Sequence, residues 1–358
     1  MINVTKTWLP DKEKYLALID EIYENGWITN NGPLVQKLEK KLEKYLGVNN
    51  LVLVANGTIA LEIAYRLLNL KGKVITTPFS FVATTSSLIS NNLEPIFADI
   101  NPQTFSIDTK NIENLITSDT SAIVPVHVFG NPCDVEAIQN IAKKHNLKVI
   151  YDAAHTFGIK YKDESILKYG DISTLSFHAT KLFHTIEGGA LIINDTKLAQ
   201  KARLMINFGI DGYDSVKDLG TNAKMNEMEA AMGLCVLDDM EYIIRQREKI
   251  SKKYKLKLEN VVQFQKLHND TLTNYSYFPI LLKTPKERFN VQTALNKHKI
   301  YPRRYFHPSL DTLPYLPSTQ HCQYSQDISS RILTLPLYPD LKDNEQDKII
   351  KIILGCIL

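Results

Sequence analysis

The sequence predicts an α/β protein with a seven-stranded, mostly parallel sheet between helices and a smaller α+β C-terminal domain. Between residues 51 and 194, short runs rich in Val and Ile alternate with longer segments whose apolar residues recur every three or four positions. Repeated β-α-β units of this kind form a parallel sheet with helices on both faces. Beyond about residue 240 the alternation stops, which indicates a second structural unit.

Seven candidate strands lie in the first part of the chain. Most are continuously apolar, as expected of strands that are covered on both faces. In order, they are "LVLV" (51–54), "KVIT" (73–76), "EPIFA" (94–98), "SAIVPVHV" (121–128), "KVIYD" (148–152), "ISTLSFH" (172–178) and "GALIIN" (189–194). The connection between the last two is too short for a regular crossover, so this pair can be antiparallel.

The domain division is predicted near residue 240. Residues 1–240 would form the large domain, with an N-terminal substrate segment, and residues 241–358 the small C-terminal α+β domain. The segment "MEYIIRQREKISKKYKLKLE" is predicted to be one long helix, and a proline-rich tail follows it. Ligands of such proteins bind at the carboxyl ends of the parallel strands and in the cleft between domains.

Composition argues against several classes of protein. The net charge of +3 is too small to indicate a nucleic-acid partner. No apolar run approaches the ~18 residues that span a bilayer, and the N-terminus lacks the apolar core of a signal peptide, so a cytoplasmic protein is expected. The four cysteines and nine histidines do not fall at disulfide-framework or metal-site spacings, so no metal is expected.

Four short motifs at strand ends carry reactive or binding groups. Asn56-Gly57-Thr58 opens a helix and offers free amides and a hydroxyl to a phosphate, although an ordinary helix cap has the same residues. Asp152 ends a buried strand, where a carboxylate needs a cation, a structural ion pair or a capping role. Ser176 ends another strand. Lys181 follows it and is either a nucleophile in a semi-buried turn or a surface lysine.

Taken together, these residues suggest one cofactor. A phosphate anchor, a carboxylate for a protonated ring nitrogen and a lysine for an aldehyde are what pyridoxal 5′-phosphate (PLP) needs. Asp152 and Lys181 belong to different strands, so they can approach the ring from different sides.

Beyond these residues, the chain resembles the DegT/DnrJ/EryC1/StrS family of sugar aminotransferases essentially from end to end. This resemblance implies the fold of aspartate aminotransferase, fold type I of the PLP-dependent transferases. The segments that carry it occur in family order: "GWITNNGPLVQKLEKKLEKYLG", "ANGTIALEIAYRLL", "TTPFSFVATTSSLISNNLEPIFADI", "VPVHVFGNPCDVEAI", "VIYDAAHTFG", "SFHATKLFHTIEGGAL", "GTNAKMNEMEAAMG" and "LPLYPDL".

The resemblance also implies roles for matching positions. Lys181 is implied to bond covalently to the cofactor, Asp152 to pair with the pyridine nitrogen, and His155 to lie near the ring hydroxyl; these three are the expected catalytic residues. The phosphate is implied to be held by Gly57, Thr58 and Ser176. The aromatic residue implied to stack on the ring is Phe81.

Asn222 matches an asparagine that reaches the phosphate from a neighbouring subunit, which implies an obligate homodimer with shared active sites. The family usually has Arg where Lys224 stands, so no contact is carried over for that lysine. The expected substrate-binding residues are Trp27, Thr29, His184, Tyr305 and His307. For His184, a packed structural histidine is an equal alternative.

The implied activity is transamination. L-Glutamate would charge the cofactor as pyridoxamine 5′-phosphate, and a keto group on a nucleotide-linked sugar would take the amine, with Lys181 moving the proton. Related PLP-dependent dehydratases have histidine in place of Lys181. "DAAH" and "EGGA" are similar to members that aminate C4 of 4-keto-6-deoxy sugars. The expected product is dTDP-4-amino-4,6-dideoxyglucose for surface polysaccharide (O-antigen), with UDP- and GDP-linked substrates left open.

Three alternatives to this activity differ from it in their sequence motifs. The first is an aminotransferase that acts at C3, whose members tend to have "DAAQ" and a Gly-Asp pair before the last glycine. The second is a non-catalytic PLP-binding regulator, which the intact Lys181, Asp152 and His155 and the lack of an attached DNA-binding segment disfavour. The third, a nicotinamide-binding protein, lacks its G-x-G-x-x-G after the first strand.

Overall fold

The computed structural model describes residues 1–316 and 320–357, and a seven-stranded sheet forms its centre. The strands lie across the sheet in the order β1-β7-β6-β5-β4-β2-β3. β7 is antiparallel to both neighbours, and the other pairs are parallel, as predicted. In chain order the strands are β1 (Leu51–Val54), β2 (Lys73–Thr76), β3 (Glu94–Phe97), β4 (Thr120–Val124), β5 (Lys148–Asp152), β6 (Ile172–Ser176) and β7 (Gly189–Ile193).

Four strands end earlier than predicted, β3 and β7 by a single residue and β4 and β6 by more. β4 ends at Val124 rather than at residue 128, because Pro125 has no N–H to continue the ladder. β6 ends at Ser176 rather than at residue 178. The next residue, Phe177, donates its N–H to the carbonyl of Gly188 and accepts from the N–H of Thr185, which turns the chain into a closed loop.

Helices cover both faces of the sheet. In the described ranges they are α1 (Lys12–Asn25), α2 (Pro33–Leu46), α3 (Gly57–Leu67), α4 (Ala83–Ser90), α5 (Val135–His145), α6 (Thr196–Met205), α7 (Glu227–Asp238), α8 (Met240–Leu258), α9 (Pro285–Lys297), α10 (Gln323–Arg331) and α11 (Asp343–Ile357). The long helix predicted after residue 240 is α8. None of these helices is long and apolar enough to cross a membrane.

The core divides along the two faces of the sheet, because successive strand residues point to opposite sides. Leu51 and Leu53 of β1 pack in the cluster that includes α2, α5 and α7. Val52 and Val54 pack in the cluster that includes α3 and α6. The strands are therefore buried on both faces, as their continuous apolar character predicts.

A third apolar cluster lies in the C-terminal part of the chain. Residues of α8, α9 and α11 pack against an antiparallel sheet made of Gln263–Phe264, Pro279–Leu281 and Ile332–Thr334. Two small sheets link distant parts of the chain: Ile2–Asn3 pairs with Ile300–Tyr301, and Thr271–Leu272 pairs with Lys160–Tyr161, which also pairs with Glu164–Ser165. The domain boundary at residue 240 stays a prediction.

Candidate active site

A cavity of about 320 Å³ opens at the carboxyl ends of β5 and β6. Asp152 is the last residue of β5, Ser176 is the last residue of β6, and both line the cavity. The first turn of α3, which begins at Gly57, forms another wall. The carboxyl ends of neighbouring parallel strands meet at one edge of a sheet, so this is the location that the sequence predicts.

The wall at the start of α3 requires glycine at two positions. A Cβ on Gly57 would lie 2.8 Å from the Cβ of Ser176, and a Cβ on Gly189 would lie 2.6 Å from the carbonyl carbon of Asn56. Asn56 caps the helix, its Oδ1 accepting from the N–H of Ile59 at 2.9 Å. The helix start and two strands therefore form a tight backbone cradle at the cavity wall.

Asp152 is a buried carboxylate whose hydrogen-bond partners are neutral. Its Oδ2 accepts from the hydroxyl of Thr84 at 2.7 Å, and its Oδ1 accepts from the N–H of Ala154 at 3.2 Å. Burial raises the pKa of Asp152, and the two hydrogen bonds and the charge of Lys181 only partly oppose this. A cation on the cavity side would stabilise the ionised form.

His155 lines the same cavity as a neutral ring. Its Nδ1 accepts from the N–H of Phe129 at 3.2 Å, so the proton of the neutral imidazole belongs on Nε2. Burial, followed by the charge of Lys181, holds the pKa of His155 well below its ordinary value. The residue therefore keeps one N–H donor to offer to a ligand.

Lys181 lies in the closed loop that follows β6. Its N–H donates to the carbonyl of His178 at 2.8 Å. Its side chain lines the cavity, and Nζ lies 3.4 Å from Oη of Tyr277. Lys181, Asp152 and His155 are therefore brought together at one cavity.

The other predicted cofactor residues divide into two groups. Gly57, Thr58 and Phe81 line the cavity with Ser176, and the ring of Phe81 is 57% exposed. Asn222 is exposed and lies outside the cavity, where its Oδ1 accepts from Nζ of Lys224 at 2.9 Å.

The predicted substrate residues are more dispersed. Tyr305 lines the cavity, whereas Trp27, Thr29 and His307 lie outside it. His184 does not line the cavity either. Its ring is buried, with Nε2 bonded to the carbonyl of Trp8 at 2.6 Å and Nδ1 accepting from the N–H of Ile186 at 3.2 Å. This geometry is that of the packed structural histidine, and it corrects the expectation of a pocket-lining ring.

Sequence reasoning missed two residues next to the reactive groups. Thr84 donates to Asp152, and its hydroxyl also lies 2.9 Å from that of Ser80. The run of small polar residues in "SFVATTSS" could have indicated such contacts. Tyr277 contacts Lys181 from a part of the chain that carries no local signal of a site.

A second cavity, of about 630 Å³, adjoins the first and shares with it four wall residues, Ser80, Phe81, Tyr305 and Phe306. Arg303, Arg304 and His307 line it, and no Asp or Glu does so among the residues that the structure describes. Burial lowers the pKa of Arg304, and the nearby positive charge of Arg288 lowers it further. Burial also lowers the pKa of His307, and the positive charges of Arg304 and Arg288 add to this effect. This cavity is therefore suited to an anion.

The residues of the first cavity fit PLP. The cradle at Gly57 has no room for a side chain and exposes the amides of a helix start, which suits a phosphate. The buried Asp152 has only neutral hydrogen-bond partners, which suits a protonated ring nitrogen. Lys181 supplies an amine on the same cavity.

Comparison with known proteins agrees with this fit. The sequence model of the DegT/DnrJ/EryC1/StrS aminotransferase family matches residues 10–354. The dTDP-4-amino-4,6-dideoxy-D-glucose transaminase of Shigella dysenteriae is 44% identical, over 98% of this chain and 98% of its own.

Solved structures give the same result. DesI, whose crystal structure was determined in the presence of its TDP-sugar product, is 29% identical with a TM-score of 0.94, over 99% of this chain and 93% of its own. The protein ntda of Bacillus subtilis, solved with the bound cofactor PMP (pyridoxamine 5′-phosphate), is 30% identical with a TM-score of 0.89, over 96% of this chain and 81% of its own. The chain therefore belongs to the DegT/DnrJ/EryC1/StrS aminotransferase family, a PLP-dependent family.

Proposed function

We propose that this chain moves an amino group from L-glutamate to C4 of dTDP-4-keto-6-deoxy-D-glucose. The product would be dTDP-4-amino-4,6-dideoxyglucose, a precursor of surface polysaccharide such as O-antigen. The observation that carries the proposal is one cavity that combines Lys181 with the buried Asp152 and adjoins a larger, cationic cavity. The name of the Shigella relative supports the dTDP-linked C4 product.

Three side chains would share the chemistry. When bound, PLP takes an amino group from one substrate and passes it to the next. Asp152 would hold the proton on the ring nitrogen, since its burial is then offset by an opposite charge. His155 would donate from Nε2 to the ring hydroxyl oxygen. Lys181 would hold the cofactor's aldehyde and, once released from it, move the proton of the substrate carbon.

The phosphate and the ring face would be held by different walls of the cavity. Gly57 and Thr58 would offer the amides at the start of α3 to the phosphate, and Ser176 its hydroxyl. The exposed ring of Phe81 would cover one face of the cofactor ring.

The second cavity supports a nucleotide-linked substrate rather than a free sugar. Arg303 and Arg304 would bind the diphosphate, because guanidinium groups form paired hydrogen bonds with phosphate oxygens. His307 would lie beside them, and Tyr305, shared by both cavities, would lie where the diphosphate joins the sugar.

We infer that the working form is a homodimer with shared sites. Asn222 is exposed and outside its own cavity, which leaves it free to reach the cavity of a second copy. Exposed apolar side chains precede it along the chain: Phe208, Ile210, Val216 and Leu219.

Light scattering would report the mass of the assembly. Mixing Lys181→Ala and Asn222→Ala subunits would restore activity if each site draws on two subunits, and unchanged low activity would oppose sharing.

The first test of the function is the visible absorption spectrum of the purified protein before and after L-glutamate is added. A lysine-bound cofactor absorbs in the visible, so the band is expected to fall when the amino group is accepted and to return when the keto sugar nucleotide is added. Lys181→Ala should lack the band and turnover, whereas Lys197→Ala, a change of an exposed lysine, should keep both. Retained turnover in Lys181→Ala would refute the assignment.

The second test identifies the product. Mass spectrometry of the sugar nucleotide shows whether an amine has replaced the keto oxygen, and NMR then shows whether it is at C4 or C3. An amine at C3 would overturn the proposed regiochemistry while leaving transamination in place.

A further inference from the structure

Among the described residues, the side-chain amine of Lys181 has one hydrogen-bond partner, the phenol of Tyr277. Its Oη is 3.4 Å from Nζ, and Nζ is 6.0 Å from the centre of its ring. Tyr277 also lines the cavity between Lys181 and His155, whose imidazole packs against its ring at 4.7 Å between centroids. The contact therefore belongs to the reactive part of the cavity.

The segment that carries Tyr277 is fixed to the backbone around His155. The side-chain amide of Asn274 donates to the carbonyls of His155 and Phe157 at 3.0 and 2.9 Å. The hydroxyl of Ser276 donates to the same carbonyl of His155 at 3.2 Å. Three hydrogen bonds thus join residues 274–276 to residues 155–157, and Asn274 is only 2% exposed.

A buried arginine fixes the same segment from its other side. Nη1 of Arg247, a residue only 3% exposed, donates to the carbonyl of Ser276 at 3.1 Å and to that of Tyr275 at 3.4 Å. Burial lowers the pKa of Arg247 to about 10, so the side chain is still charged at neutral pH. Among the described residues, the hydrogen bonds of this buried guanidinium go to backbone carbonyls of the segment, and they hold it in place.

From these contacts we propose that Tyr277 is a positioning residue for Lys181 during amino-group transfer. This inference rests on the proposed function. Whenever the amine of Lys181 is free of the cofactor, Oη of Tyr277 accepts a hydrogen bond from it. That bond aims Nζ at the substrate carbon and stabilises the ammonium that forms when Lys181 takes the proton.

Tyr277→Phe removes the hydroxyl and keeps the ring that packs on His155. We expect the variant to bind PLP as the wild type does and to keep its KM for L-glutamate. The rate of the first half-reaction should fall roughly 10- to 100-fold, the range for losing one hydrogen bond to a charged group. The kinetic isotope effect with Cα-deuterated glutamate should rise, because proton transfer then limits the rate.

A measurement without cofactor tests the contact itself. In the apoprotein, acetylation of Lys181 should be faster in Tyr277→Phe than in the wild type, because the amine has lost its hydrogen-bond acceptor; mass spectrometry of the peptides reports it. Tyr275→Phe is the matched control, since that hydroxyl bonds to Glu248 at 3.0 Å outside the cavity.

An unchanged half-reaction rate and unchanged acetylation in Tyr277→Phe would overturn the proposal. So would a slower half-reaction that is explained by lost cofactor, because the role would then be structural. If the wild type itself showed no reaction with L-glutamate, the proposed function would fail, while the acetylation comparison would still decide whether Tyr277 holds Lys181.

Discussion

Glu227 is a buried acid whose hydrogen bonds hold the start of α2 in place. The residue is fully buried at the start of α7, and its carboxylate accepts the N–H of Leu34 at 2.8 Å and that of Val35 at 2.9 Å. Its own N–H donates to the carbonyl of Ile28 at 3.1 Å. One residue thus holds both the start of α2 and the segment that carries Trp27 and Thr29.

The effect of Glu227→Gln follows from these bonds. Glutamine offers one oxygen and one amide group, so one of the two buried N–H groups loses its acceptor, at about 1–3 kcal/mol. The start of α2 also loses its negative charge, at about 0.3–2 kcal/mol. We therefore expect the free energy of unfolding to fall by about 2–4 kcal/mol. The main-chain bond from residue 227 to the carbonyl of Ile28 is kept in this variant, so the loss is expected at the start of α2.

Urea unfolding of the apoprotein measures this loss of stability. The midpoint should shift to lower urea with an unchanged slope, which indicates a loss of stability rather than a different unfolded state. Glu21→Gln, an exposed glutamate of α1, is the matched control and should shift the free energy by less than about 0.5 kcal/mol. Equal, small shifts in both variants would refute the reasoning.

Three further substitutions test the cavities. Asp152→Asn should keep the fold and lose most activity in a transamination assay, because the ring nitrogen is no longer held protonated; near-normal rates would oppose that role. Burial raises the pKa of Asp152 above its ordinary value of 3.8. The favourable contribution of this group to the free energy of unfolding is therefore present below pH 3.8, and it is lost as the pH rises through the raised pKa. Urea unfolding should therefore find the apo wild type losing stability relative to Asp152→Asn over that range. Gly57→Ala should weaken PLP binding in a fluorescence titration, because its Cβ would lie 2.8 Å from that of Ser176; unchanged affinity would show that the cradle can widen. Arg304→Gln should weaken dTDP binding in calorimetry and reduce the dependence of that binding on salt. Equal affinities of the variant and the wild type for dTDP would show that the diphosphate does not bind in the second cavity.

The sequence predicts the parts of the site that depend on local order along the chain. Asp152 and Ser176 end buried parallel strands, and Gly57 begins a helix at the same edge, so their meeting follows once the strands are recognised. Lys181 follows from the same argument, because it comes directly after β6.

Other parts of the site depend on contacts that no local pattern describes. Thr84 reaches Asp152 across 68 positions, and Tyr277 reaches Lys181 across 96. The direction of His184 is set by its bonds to Trp8 and Ile186 inside a loop, where neither helical nor strand periodicity applies. Such contacts require the tertiary structure.

Three buried acids show how the structure separates scaffold from site. Glu227 is matched by two backbone N–H groups at a helix start, and Glu39 by Arg203 at 2.9 Å and the N–H of Leu53 at 3.0 Å. Each therefore has donors from a helix start or a cation within the chain. Asp152 is as deeply placed, but its side chain accepts from a hydroxyl and one N–H, both neutral. A buried carboxylate is costly until it meets a positive charge. The neutral hydrogen-bond partners of Asp152 leave this cost in place, so the site favours a cationic ligand. Binding of that ligand in turn stabilises the folded chain.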